Sequence, residues 1–182
     1  MSLKIFYLFL ILLINGPFCS APQDGKKKDH IYYTVTKVID GDTFWIDNGF
    51  ENPLKIRLTG INAPEARNSH HKVKSFYGKE SYLYLKRMIE GKKVRLEYDI
   101  GRYDRYKRTL AYVYLPDDTF VNAELVKNGY ASIMTIQPNV KYQELFSRLE
   151  RKARNKEKGL WGKSKEKIKD TKHKEKARLS LN

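Results

Sequence analysis

Apolar and polar positions alternate with a strand-like period over several short stretches of the chain. Ile31 to Ile39 is rich in Tyr, Val, Thr and Ile, and Thr43 to Asp47 repeats the pattern. Asn48-Gly49 opens a turn signal that runs to Pro53. Leu54 to Gly60, Val94 to Tyr98 and Leu110 to Leu115 complete five predicted strands, bounded by Gly, Asp or Pro. Three stretches change to the helical period. Gly78 to Glu90 spaces Tyr82, Leu85 and Met88 for one face, and Tyr142 to Lys158 spaces Leu145, Leu149 and Ala153 four apart. Between them Asn122 is placed to cap a short helix carrying Leu125 and Val126, with Gly129 as its stop. The predicted fold class is α+β (mainly β): a five-stranded OB-type barrel with three packed helices, an architecture that often takes nucleic acids or oligosaccharides.

The flanks differ in character. After Lys4, an apolar run from Ile5 to Ile14 fits the hydrophobic region of a signal peptide, typically ~7–15 residues, and is shorter than the ~20 a spanning helix needs. A buried N-terminal element is the plainer alternative. The predicted division is a signal peptide over 1–20, a polar linker over 21–30, the barrel domain over 31–162 and a basic tail over 163–182, disordered or, as the alternative, a solvated helix extension. Cys19 is the single cysteine, so no disulfide supports the domain. It is either removed with the signal or becomes a lipidated first residue. The protein is thus expected to be exported, secreted or periplasmic, with a membrane-anchored lipoprotein as the alternative. It is expected to be a monomer without an obligate protein partner.

Charge adds a partner class. Lys and Arg number 36 against 21 Asp and Glu, a net +15 on 182 residues. So strong a field attracts polyanions such as nucleic acid, acidic polysaccharide or anionic membrane.

Three clusters carry candidate chemistry. Asp40-Gly41-Asp42 puts two carboxylates around a glycine, where extended chain would project both to one side and a hard cation such as Ca²⁺ would find oxygen ligands. An Asp-Gly turn is the bland alternative. In the run from Lys55 to Glu65, Arg57 lies within a strand and Glu65 follows the rigid corner of Pro64, as a base that must hold a water would; a surface loop acid is the alternative. A turn over 49–52 pairs Asn48 with Pro53, which brings Asp42 near Thr59 and Phe44 near Arg57. Asp42 and Arg57 would then be diagonal neighbours, ~7–8 Å apart at Cα, with Asn62 and Glu65 emerging beside them. The third cluster, Tyr103 to Thr109, mixes cations with aromatics: Arg grips phosphate oxygens and Tyr stacks on a base, or the loop is merely a solvated turn.

In this order and spacing the clusters resemble the staphylococcal nuclease (thermonuclease) family. The resemblance covers roughly residues 31–162 and extends to Val121-Asn122, Pro138-Asn139 and Gly159-Leu160-Trp161. It implies an OB-fold endonuclease that uses Ca²⁺ to hydrolyse DNA or RNA and leaves 3′-phosphates. By position it implies Arg57, Glu65 and Arg108 as catalytic residues. Asp42, Asn62 and the Ala63 backbone carbonyl correspond to metal ligands, Asp40 to the acid standing behind them, and Arg105 and Tyr106 to the substrate-contacting pair. Asn62 stands where the prototype has Asp, so one negative charge is lost and calcium should bind more weakly. Met134 and Ile136 stand where the prototype has two tyrosines, so base stacking there should be weaker. A non-catalytic nucleic-acid-binding OB domain and a basic adhesin for acidic polymers are the rival readings.

Overall fold

The computed structural model describes residues 30–66 and 76–162. The expected signal peptide, Cys19, most of the linker and the basic tail lie outside the described residues. Strands β1 (Tyr32–Asp40), β2 (Thr43–Asp47), β3 (Leu54–Leu58), β5 (Lys93–Glu97) and β6 (Thr109–Tyr114) close a barrel in the order β1-β2-β3-β6-β5. All neighbours are antiparallel except β3 and β6, which run parallel. Two further strands of two residues each, β4 (Ile61–Asn62) and β7 (Ser132–Ile133), pair outside the barrel. Helices α1 (Phe76–Ile89), α2 (Val121–Lys127) and α3 (Gln143–Asn155) surround it, and a 3-10 turn at Gly159–Trp161 closes the fold.

The five-stranded barrel with three helices is as the pattern predicts. Alternation along β2 explains why: Phe44 and Ile46 are fully buried, while Trp45 is half-buried and Asp47 exposed. Val35, Val38, Ile56, Val94, Ala111 and Val113 meet them inside the barrel, and Leu85, Leu125 and Phe146 bring the helices onto this core.

Several details differ. The third strand ends at Leu58 rather than Gly60, because Gly60 takes a left-handed φ of 78° and turns the chain into β4. Asn122 is not a cap. It lies within the first turn of α2, fully buried; its Oδ1 accepts the Val113 N–H at 3.0 Å and its Nδ2 donates to the Thr59 carbonyl at 3.0 Å. The amide thus ties α2 to β6 and to the end of β3. Gly129 is the stop expected of it, with φ 73°. Its carbonyl accepts the Leu160 N–H at 2.8 Å, and Gly129 and Gly159 approach so closely that a Cβ on either would overlap the other segment's backbone.

The hairpin register is one residue away from the expected one. Thr43 pairs with Arg57, Phe44 with Ile56 and Ile46 with Leu54. A slip of one normally moves a side chain to the other face. Asp42 escapes this because Asp40 pairs with Thr43, so Gly41 and Asp42 form the two-residue turn between β1 and β2. Its side chain is therefore not bound by the pleat.

Candidate active site

The β1–β2 turn, the segment after β3, the loop before β6 and the segment after β7 enclose one cleft of about 630 Å³. Of the predicted site residues, Asp40, Asp42, Arg57, Asn62, Glu65, Arg105, Tyr106 and Arg108 line it, and Ala63 does not.

Asp42 is 6% exposed. Its Oδ1 accepts the Thr43 hydroxyl at 2.9 Å, and its Oδ2 accepts the Ala63 N–H at 2.8 Å and stands 3.0 Å from Arg57 Nη1. A Cβ on Gly41 would collide with the Cβ atoms of Ala63 and Ser81, so only glycine lets the turn pack this far into the fold. Arg57, 8% exposed, is far from the solvated strand arginine that such a position usually carries. Its guanidinium also donates to the Leu58 carbonyl and, through Nη2, to Asn62 Oδ1, each at 3.2 Å. Burial lowers its pKa while the Asp42 carboxylate opposes that shift. Asp42 and Asn62 therefore converge on one guanidinium from two separate strand ends.

Asp40 ends β1 and does not share a strand face with Asp42, as two-residue spacing alone would have it, yet both reach the cleft. Asp40 Oδ1 accepts the N–H groups of Gly41 at 2.8 Å and Ala66 at 3.2 Å. Burial pushes its carboxyl up to about 6, the Gly41 N–H opposes this, and a hydrogen bond to Glu65 with the charges of Asp42 and Glu65 reinforces it. Asp40 and Glu65 thus form a carboxyl pair at the cleft floor. Gly78 of α1 lies against the Glu65 backbone so tightly that a Cβ there would overlap the Glu65 carbonyl.

The loop before β6 holds Arg108. Asp104 accepts its backbone N–H at 2.9 Å and its Nε at 2.6 Å, and accepts the Tyr106 N–H at 2.8 Å. Burial alone would raise the Asp104 carboxyl, but the N–H and guanidinium of Arg108 outweigh it and hold the carboxyl below its usual range. Lys107 bends the loop with a φ of 60°. Arg105 lies over the Tyr106 ring at 4.7 Å, and Tyr106 is 64% exposed. Met134 and Ile136 form the opposite lip, also exposed. Their segment is fastened by Asn139, whose side-chain amide accepts the Gly101 N–H at 2.7 Å and donates to the Gly101 carbonyl at 2.9 Å.

Sequence reasoning gave no role to Asp104, Asn139 or Gly78. An Asp four residues before an Arg in a turn was the available signal for the first. The other two act through long-range contacts that no local pattern announces.

Three oxygen donors (Asp42, Asn62 and Asp40) gather near two guanidinium groups, and Asp40 is also one half of the carboxyl pair with Glu65. Among the described residues no group of three or more His, Cys, Asp or Glu stands together as a metal cluster. The oxygen set here has two carboxylates and one amide. For Ala63 the recorded contact is its N–H on Asp42. Such an arrangement can neutralise a phosphodiester and present a carboxylate to a water.

Residues 55–163 match the family described as "Staphylococcal nuclease homologue". The chain is similar to a thermonuclease of Staphylococcus hyicus, 39% identical over 147 residues that cover 81% of this chain and 84% of that protein. It is 37% identical to a thermonuclease of Staphylococcus intermedius over the same shares of each. It is 33% identical to endonuclease YncB of Bacillus subtilis over 146 residues, 79% of this chain and 67% of that one. The family match contains Arg57, Asn62, Glu65 and Arg108 and begins after Asp42.

Proposed function

The chain belongs to the staphylococcal nuclease family and is a phosphodiester-hydrolysing nuclease, and we propose that it is a calcium-dependent endonuclease of DNA or RNA that leaves 3′-phosphates. The observation that carries this reading is the convergence of Asp42, Arg57, Glu65 and Arg108 on one cleft.

The donor chemistry fits a hard cation. Asp42 and Asn62 offer only oxygens, already gathered around one positive group, and calcium sites combine carboxylate and amide oxygens with carbonyls and water. Asp42, Asn62 and the Ala63 carbonyl would hold the ion, with Asp40 behind them. When bound, calcium supplies Lewis-acid charge to a phosphate oxygen and orients a water.

The chain's own groups do the rest. Glu65 takes a proton from the attacking water, or fixes its orientation, from a backbone held by Pro64 on one side and Gly78 on the other. Its carboxyl partner Asp40 shares a hydrogen bond with it. Arg57 is buried and pinned, so its charge is aimed before the substrate arrives; Arg108 is pinned likewise by Asp104. Both guanidinium groups neutralise charge that builds on the equatorial phosphate oxygens. Arg105 and Tyr106 guide the strand. The apolar run at 5–14 supports export, and an intact mass of the mature protein tests that along with lipidation of Cys19.

Denatured DNA incubated with the protein, with Ca²⁺ or with chelator, tests the reading. Glu65→Gln, Arg57→Ala and Arg108→Ala are each expected to slow cutting by at least ~10². Folded Glu65→Gln that cuts at the parent rate, or cutting unchanged in excess chelator, overturns it. End-group analysis of the products reports the 3′-phosphate.

A further inference from the structure

The outer face of the barrel carries a cation–aromatic–cation row one rung away from the cleft. Lys37 of β1 pairs with Trp45 of β2, and Trp45 pairs with Lys55 of β3. Directly paired residues share a face, so the three side chains lie in one row across three strands. Phe44, Ile46 and Ile56, their neighbours in sequence, are fully buried, which fixes the row on the outside. Lys55 Nζ stands 5.3 Å from the Trp45 ring centre. Among the described residues the helices make their main strand contacts with β1, β6 and β7.

The next pair along the same face is Thr43 with Arg57, already inside the cleft. Two strand residues span about 7 Å, comparable to one nucleotide of extended strand. Of the acidic groups bordering the row, Glu90 feels the charge of Lys37 but is held mainly by other partners. Glu90 accepts the Val38 N–H at 2.9 Å and pairs with Lys86 at 3.2 Å, and Asp47 accepts the Gly49 N–H at 2.8 Å.

We propose that this row is an accessory binding track for single-stranded nucleic acid, with an unpaired base stacked on Trp45 and the flanking phosphates on Lys37 and Lys55. It rests on the nuclease reading and extends it: the strand that enters the cleft continues over β2 and β3. Charge complementarity selects a polyanion, the indole selects one with flat faces to stack, and continuity with Arg57 selects the strand being cut.

Trp45 and Trp161 are the two tryptophans of the chain. Trp161 packs against Arg154 at 3.7 Å, so Trp161→Phe leaves Trp45 as the only tryptophan, whose emission is read by exciting at the red edge where tyrosine does not absorb. In a Trp161→Phe, Glu65→Gln chain, a twelve-residue oligothymidylate is expected to quench Trp45 emission saturably, while inorganic polyphosphate of equal charge does not. Trp45→Leu should weaken binding of the oligonucleotide about 5- to 150-fold, the range one stacked base is worth, and shift that of a dinucleotide less than twofold. Lys37→Glu with Lys55→Glu, both at the surface, should weaken binding at least tenfold and flatten its salt dependence by about two contacts. Equal quenching by polyphosphate means attraction by charge alone and overturns the proposal, as does unchanged oligonucleotide affinity in folded Trp45→Leu or in the double Lys variant. The oligonucleotide recovered from the same samples shows whether it was cut, so a failure of the nuclease reading is seen separately from a failure of the track.

Discussion

Gly78 of α1 and Glu65 meet backbone to backbone, with no room between them for a methyl group. The position of the proposed base therefore depends on a residue thirteen places later that carries no side chain at all. Gly78→Ala should push the Glu65 segment outward. A misplacement near 1 Å can cost about 10²-fold in rate, so kcat is expected to fall by that order in a protein that still binds oligonucleotide. Steady-state kinetics beside a binding titration check it, and an unchanged kcat would show that the segment yields without moving the carboxyl.

Asp104 grips both the main chain and the side chain of Arg108. Asp104→Asn should lower kcat about tenfold or more by freeing Arg108. The carboxyl is held below its usual range in the folded protein, so its contribution to stability is complete above the unfolded value near ~4 and fades as pH falls through the lower folded value. The melting-temperature gap between parent and variant should be widest above pH ~5 and close in stronger acid. Thermal melts across that range read it directly.

In the proposed calcium site Asn62 would supply an amide oxygen where a carboxylate would add charge. Asn62→Asp should lower the calcium concentration needed for half-maximal cutting, since such sites tighten with ligand charge. The carboxylate would also meet Arg57 Nη2, 3.2 Å from the present amide oxygen. A calcium titration of activity decides between tighter metal binding and a group spent on the arginine.

Asn122 satisfies the Val113 N–H and the Thr59 carbonyl from a fully buried position. Asn122→Leu removes both bonds and strands two buried backbone groups, each costing about 1–3 kcal/mol. Urea unfolding should show a loss of at least ~2 kcal/mol, with kcat per folded molecule far less affected.

Much of the barrel was legible because β1, β2, β5 and β6 carry Val, Ile, Leu or aromatic residues in short runs, and a Gly, Asp or Pro follows each within two residues. Strands β4 and β7 were not, since two residues carry no period, and they exist because Gly60 redirects the chain toward Ser132. The site residues could be named from motif and spacing, and the structure brings them to one cleft. Their geometry could not be read the same way. The one-residue difference in register was invisible because the connection between β2 and β3 has no two-residue turn to fix it. Asp42 reaches Arg57 from a turn, where alternation says nothing. Asn122 read as a cap because its residue type favours caps; the unmet Val113 and Thr59 groups that claim it instead are known only once the barrel is closed.

Strand β3 lies parallel to β6, so Arg57 has Leu110 as its neighbour and Arg108 arrives just before it. Parallel partners cannot be joined by a tight turn, and here more than forty residues and helix α1 intervene between them. A ribosome making this chain has therefore delivered Asp42, Arg57 and Glu65 long before it delivers Arg108. The two guanidinium groups can flank one phosphate only after β6 has docked. On the proposed mechanism, a nascent chain that has not yet docked β6 is expected to lack one of the two guanidinium groups and so to cut poorly.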